Sequence, residues 1–462
     1  MHEPGCGMQT AGAVTLPDAM KPAHINIEAG DKTMTQDYGD RPRKIGRRRF
    51  CAGVAAATAV AVAPSLSRAA RVSEDAAFYV AVGATLTVYR PDTQAQTLRR
   101  DSETVLPEAV QYAWAHPALP LLYVAFSNRY STKADDHHGV AVLRIDQTTG
   151  RLSPFGEPLI LKNRPVNITL DPEGQYLLVA YNAPSDLTVH PLAADGAMGE
   201  AVNQHHAIDA GIYAHQVRVA PDDRTVVLPT RGNDATASKP EDPGALKVFR
   251  LEDGQLTGEQ SVAPHGGFGF GPRHVDFHPT KPWMYVSMER ENELQKFDLK
   301  AGRLAPEARF IKTTLARPND IHPQQLAGPI HVSHDGRLVY VANRADATMD
   351  FDGEKVFTGG ENSIAVFRID QETGEPVLIQ TAATDSFHPR TFSLHPNGRM
   401  LVSAAIEPLD VRDGNTVRTV SAALSVFQIA ADGRLRRVRK YDVETGTDWM
   451  FWCGMVPLRA DT

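Results

Sequence analysis

The chain is poor in cysteine, in net positive charge and in long apolar runs, and each shortage removes a class of protein. Its three cysteines, Cys6, Cys51 and Cys453, lie too far apart in sequence for a CxxC zinc or redox site. A net charge of −7 lacks the basic footprint that nucleic acid demands. No apolar stretch reaches the roughly 18 residues of a membrane span. Gly-x-Ser-x-Gly is absent, so no nucleophile-elbow hydrolase is suggested. No stretch keeps helical periodicity. What remains is a chain of 462 residues, 42% hydrophobic and 22% charged, with enough apolar material for a substantial core.

The first seventy residues read as an address. Arg47-Arg48-Arg49-Phe50 precedes an alanine-rich apolar run from Cys51 to Ala63, and Ser67-Arg68-Ala69 follows. That is a charged region, a short apolar region and a small-x-small cleavage site, in the order of a signal peptide. Paired arginines before Phe50 predict twin-arginine export to the periplasm or outside, with the export machinery as a partner. Cys51 opens the apolar run instead of closing it, which argues against a lipoprotein, and no stable membrane anchor is expected. Translation starts at Met1 or at Met34. Residues 1–70 hold nine of the 48 basic and six of the 55 acidic residues, so the remainder carries 39 against 49, a net charge near −10. Only Cys453 is left there.

Residues 71–462 are organised by a repeat. An apolar strand, a turn such as His-Pro-x-Gly-Arg, and a second strand resembling Leu-Tyr-Val-Ala recur as HPALPLLYVAFSN from His116, DPEGQYLLVAYN from Asp171 and APDDRTVVLPTRGN from Ala220. They return as HPTKPWMYVSME from His278, SHDGRLVYVANR from Ser333 and HPNGRMLVSAA from His395, and AFYVAVGA at Ala77 is a seventh second strand without a partner. The centres Tyr79, Tyr123, Leu178, Val227, Tyr285, Tyr340 and Val402 are spaced by roughly 44 to 62 residues. Third strands such as GVAVLRID and ALSVFQIA lead into Gly-Arg-Leu hairpins. The pattern predicts an all-β, seven-bladed β-propeller of four-stranded antiparallel blades. WMFWCGMV, from Trp449 to Val456, is placed to supply the missing strand and close the ring.

Equivalent positions of the repeat can be compared. Six residues before each first turn come Gln111, Val166, His215, Arg273, Gly328 and Arg390; at the exits of the second strands come Ser127, Asn182, Arg231, Glu289, Arg344 and Ile406. A scaffold repeats similar residues, whereas here the later blades concentrate His, Arg and Glu. Arginines hold a carboxylate or phosphate and stabilise an oxyanion. His215 or Glu289 is the candidate base. A plain ion pair of Arg273 and Arg344 with Glu289, and a packed core role for His215, are the competing readings. Arg231, Arg390 and Asn182 are substrate-binding candidates, with His274 and His331 in support. His137-His138 and His205-His206 read as solvated loop residues, and no spacing defines a metal site. GGFGFGP, from Gly266, lacks the helix and Lys-Ser/Thr of a phosphate loop and reads as flexible. Polar insertions at 231–244, 348–361 and 407–418 are candidates for pocket walls.

At GPRHVDFHP (Gly271 to Pro279), Ala214-His215 before VRVAPDDRT, PIHVSHDGRLVYVANR (Pro329 to Arg344) and HPRTFSLHPNGR (His388 to Arg399), the chain resembles the seven-bladed lactonase family. That family includes the propeller-type 6-phosphogluconolactonase and the fungal carboxymuconate-cyclising enzyme. The resemblance spans about residues 75–457. It implies a catalytic set of His215, Glu289, Arg273 and Arg344, hydrolysis of a sugar-type lactone by metal-independent water attack, and no cofactor; the chain is expected to be a monomer. On this footing Glu289→Gln is expected to abolish turnover and leave the fold intact. A carboxymuconate-type cycloisomerase and a non-catalytic periplasmic binding propeller are the alternatives.

Overall fold

The computed structural model describes residues 75–129 and 135–459; the export signal lies outside them. Seven larger sheets follow one another around a ring, and two small hairpins accompany them. Blade 2 shows the plan: Val110–Ala115 innermost, then Leu121–Ser127, His138–Ile145 and a split outer edge of Leu152–Pro154 and Leu159–Leu161. Blades 4 to 7 repeat it, with inner strands Arg218–Val219, Pro272–Phe277, Leu326–Val332 and Pro389–Leu394. Blade 3 departs from the expected four strands. It has Pro165–Leu170, Tyr176–Asn182 and Ser185–Pro191, and its fourth strand is reduced to a bridge between Leu192 and Met198. The segment there, LAADGAMGEA, is rich in Ala, Gly and Asp, which are weak strand formers.

Blade 1 is closed from the far end of the chain. Met450–Pro457 pairs antiparallel with Ala76–Val82, bringing Cys453 opposite Val80 and Val456 opposite Ala77. Neither terminal edge is then left unpaired in that blade, so the ring offers no open seam.

The apolar strands of the repeat follow from burial on both faces. Alternate side chains point to opposite neighbours. Tyr340 and Ala342 pack toward blade 7, whereas Val339 and Val341 pack toward blade 5. Val226 and Leu228 join the core with blade 3, and Val227 joins that with blade 5. The result is seven apolar clusters, one between each pair of adjacent blades.

The repeated tyrosine ties four of the blades to the next. Tyr79, Tyr123, Tyr285 and Tyr340 donate their hydroxyls to the carbonyls of Gly150, Gly196, Gly374 and Gly433, at 2.8, 2.6, 2.9 and 3.3 Å. Each acceptor sits in the outer hairpin of the following blade. Gly150 has φ +74°, and a Cβ there would stand 2.5 Å from that of Ala77, so the left-handed turn and the blade contact both require glycine.

Two of the insertions form hairpins, Thr348–Phe351 with Glu354–Phe357 and Leu409–Asp413 with Thr416–Val420. Arg412 stacks over the Phe351 ring at 4.2 Å and joins them. Both leave second strands on the face where the charged positions of the repeat lie.

Removing the chain from Trp449 onward should give aggregated or unfolded protein by size exclusion; a soluble monomer with an unchanged melting transition would refute the closure. Tyr285→Phe should cost about 1 kcal/mol in urea unfolding through loss of its buried hydrogen bond, and a change below the error of the measurement would deny the tyrosine tie.

Candidate active site

The site positions arise from a recurrent irregularity. In blades 2, 3, 5 and 7 the innermost strand carries a bulge, and the residue without a cross-strand partner is Gln111, Val166, Arg273 or Arg390. Gly328 falls within the same register shift in blade 6, and Phe451 in blade 1. In blade 4, His215 lies between the Ala214–Thr230 bridge and the ladder that resumes at Arg218. A bulge re-aims a side chain out of the alternating pattern. The sequence comparison had selected the bulge residues of six blades and missed Phe451, over whose ring the Arg390 guanidinium lies at 4.0 Å.

The second set stands where the second strands end. Glu289 follows Trp283–Met288, and its backbone is fastened by hydrogen bonds from its N–H to Gly271 and from the Ala327 N–H to its carbonyl, both 2.9 Å. Three arginines converge on its carboxylate. Arg231 Nη1 donates to Oε2 at 2.6 Å, Arg344 Nη2 forms a short bond to Oε1, and Arg273 Nε lies 2.8 Å from Oε1 without hydrogen-bond alignment. Arg273 is 1% exposed and Glu289 3%. Arg231 also covers the Tyr213 ring at 4.6 Å.

Electrostatics follows from three guanidinium groups around one carboxylate. Burial alone would raise the Glu289 carboxyl, but Arg344, Arg273 and Arg231 outweigh it and hold it well below the usual carboxylate range. Burial and the neighbouring Arg344 disfavour the charge on Arg273, against which Glu289 acts only in part. Since guanidinium keeps its proton, the imbalance is a local surplus of positive potential. Burial, then the nearby arginines, pushes His215 well below the ordinary imidazole value, and His274 is pushed the same way. The two rings meet edge to face at 5.1 Å, and His274 lies within 3.2 Å of Arg273 Nη1. His215 Nδ1 is buried without a hydrogen-bond partner among the described residues.

A cavity of about 630 Å³ follows the ring axis. His215, Arg273, His274 and Arg390 line one end, and it continues past Arg218, Asp276 and His331 toward the first turns at Pro117 and His334. Glu289, Arg344 and Arg231 are not among its lining residues; they stand behind Arg273.

The structure therefore gathers His215, Arg273, Glu289, Arg344, Arg231 and His274, with Arg390 at the same end of the channel. His331 is nearer the opposite face, with Nε2 3.1 Å from the Phe392 carbonyl and its ring edge-on to Phe392. Asn182 is buried at the exit of blade 3, and its amide oxygen has no partner among the described residues. His205 and His206 are exposed as expected. His138 is not solvated: it begins a strand, is buried, and bonds Ser127 through Nδ1 at 2.9 Å. Sequence reasoning also missed His388, which contacts Arg344, and Asp346, which contacts His388; His388-Pro389 at the start of a blade was the available signal.

The family described as "Lactonase, 7-bladed beta-propeller" matches residues 76–411. The chain belongs to that family. It is 31% identical to the 6-phosphogluconolactonase of Bacillus subtilis over 281 residues, which cover 59% of this chain and 72% of that protein. It is 25% identical to the 6-phosphogluconolactonase of Klebsiella pneumoniae strain 342 over 377 residues, 79% of this chain and 98% of the relative. Among solved structures, the Pseudomonas aeruginosa periplasmic gluconolactonase PpgL superposes with a TM-score of 0.63 at 22% identity, over 83% of this chain and 100% of that one, a likeness of fold.

The geometry revises the expectation for Glu289→Gln. Removing the one carboxylate leaves two buried guanidinium groups and the half-buried Arg231 uncompensated, so the variant should lose about 3–5 kcal/mol in urea unfolding; an unchanged midpoint would show that the arginines do not depend on Glu289. The pH dependence has a definite sign. His215, His274 and His388 bind protons more weakly folded than unfolded, so their contribution is full above 6.5 and falls as pH drops toward the folded values, about 4 for His388. Glu289 adds stability above 4.5 that is lost in stronger acid. The melting temperature should therefore fall steadily from pH 7 to pH 4, and a flat profile over that range would contradict the buried neutral histidines.

Proposed function

We propose that the protein is an exported hydrolase of sugar-type lactones, acting at the His215–Arg273 end of the channel. The observation that carries this reading is a buried, unpartnered imidazole nitrogen beside guanidinium groups that carry surplus positive potential at a cavity wall. Family membership and the lactonases among its relatives support it.

The base is His215. Glu289 already accepts hydrogen bonds from two arginines and lies beside a third, and a carboxylate so stabilised accepts a proton poorly. His215 is neutral at pH 7. As water attacks the lactone carbonyl carbon, His215 takes one water proton and negative charge gathers on the carbonyl oxygen, facing Arg273. The ring C–O bond then breaks, the leaving oxygen receives the proton from His215, and the product is an open-chain hydroxy acid. Its carboxylate matches the arginine surplus, as does an anionic substituent on the substrate. Water attack assisted in this way uses no metal, so turnover should survive exhaustive chelation.

Export rests on Arg47-Arg48-Arg49-Phe50 and the apolar run behind it. Among the described residues no helix is long and apolar enough to cross a membrane. Replacing the three arginines by lysine should retain the protein in the cytoplasm on fractionation; unchanged export would remove the twin-arginine assignment.

The catalytic test is lactone hydrolysis followed by proton release, on glucono-δ-lactone, its 6-phosphate and a muconolactone. His215→Asn should lower kcat by about 10²–10⁴-fold, with the acid limb of the wild-type profile below the ordinary imidazole value. Hydrolysis of none of the three, or full activity in His215→Asn, would overturn the reading.

A further inference from the structure

Arg344 has two ends in different hands. Its Nη2 bonds Glu289, while its Nη1 lies 3.0 Å from His388 Nε2, and His388 Nδ1 makes a short hydrogen bond to Asp346 Oδ2. A guanidinium only donates, so Nε2 must present its lone pair and the single ring proton must sit on Nδ1. Asp346 accepts that proton. Two neighbours thus select one neutral tautomer, and the low proton affinity of the ring, about 4, agrees with it.

The backbone holds the arrangement independently. His388 has φ +49°, a left-handed conformation uncommon for a residue with a side chain. Its N–H donates to Asn362 Oδ1 at 2.8 Å, and its carbonyl accepts from the Ile406 N–H at 3.2 Å. Asn362 also receives the Ala345 N–H and donates to the Ala345 carbonyl, both at 3.0 Å. One amide therefore clamps the chain just after Arg344 to the backbone of His388, and Asp346 clamps the ring.

We propose that His388 and Asp346 position Arg344 by holding its Nη1 away from Glu289, so that one carboxylate can organise three arginines. A lone arginine beside a buried carboxylate favours the two-pronged geometry that occupies both oxygens. Here the second prong of that fork would take Oε2 and displace Arg231 from it, since Oε1 already receives Arg344 beside Arg273. His388 splits it, and Arg231 keeps its place on Oε2. His388 is a positioning residue on this account; the charged groups facing it are Asp346, Arg344 and Arg390.

The inference rests on the lactonase reading for its activity arm and not for its spectroscopic arm. The full chain, labelled with ¹⁵N-histidine, is examined by NMR at pH 7, and lactone hydrolysis is measured for His388→Phe and His388→Gln in wild-type and Arg344→Ala backgrounds. Expected is an Nδ1–H tautomer for His388, a loss of about tenfold or more in kcat/KM for His388→Phe, and recovery to within about threefold in His388→Gln, whose amide can both accept and donate. In Arg344→Ala the phenylalanine should add less than about twofold. An Nε2–H tautomer, or a phenylalanine loss that multiplies undiminished with that of Arg344→Ala, would overturn the proposal. Should the wild type hydrolyse no lactone, the functional reading fails while the tautomer still decides this one.

Discussion

The interior of this propeller is organised by one carboxylate that cannot be spared. Glu289 sits where three blades present arginines, and its charge is what allows Arg231, Arg273 and Arg344 to share one small, mostly buried volume. Each guanidinium alone would be costly to bury, and the three together would repel. The carboxylate turns that repulsion into a rigid cluster whose remaining potential falls on the channel wall. A group bound this firmly is a poor proton acceptor, which is why His215 and not the carboxylate is the proposed base.

The fold exists to make that centre possible. A propeller brings one inner strand per blade to a common axis, and a bulge at the same height in most of them, with a gap in the ladder of blade 4, turns one residue out of the alternating pattern. Blades joined by seven apolar clusters and by tyrosine-to-glycine hydrogen bonds keep these bulges in fixed relation. Chemistry can then be varied blade by blade: Gln111 and Val166 on one side of the ring, His215, Arg273 and Arg390 on the other. The scaffold is symmetric and the site is not.

Much of this was legible in the chain because the repeat imposes a common register. His-Pro turns and Tyr-Val-Ala strands count the blades, and aligning them exposes the odd residues at equivalent heights. What escaped depended on contacts between segments that the repeat does not align. Phe451 occupies the ring position of blade 1, but its strand comes from the other end of the chain and lacks the turn that marks the height. His388 and Asp346 lie outside the aligned positions, and only a left-handed backbone and an asparagine clamp bring them to Arg344. Blade 3 lost its outer strand to a segment too rich in alanine and glycine to hold one. The choice between Glu289 and His215 could not be made from residue types, because proton affinity is set by neighbours in space.

The most direct measurement is the titration of the Glu289 side-chain carboxyl by ¹³C NMR, assigned against Glu289→Gln. The account predicts a carboxylate that stays ionised as the pH is lowered, down to the point where the fold itself is lost. A Glu289 resonance that titrates between about pH 5 and 7, as a general base held near neutrality would, would contradict it and return the proton-transfer role to the carboxylate.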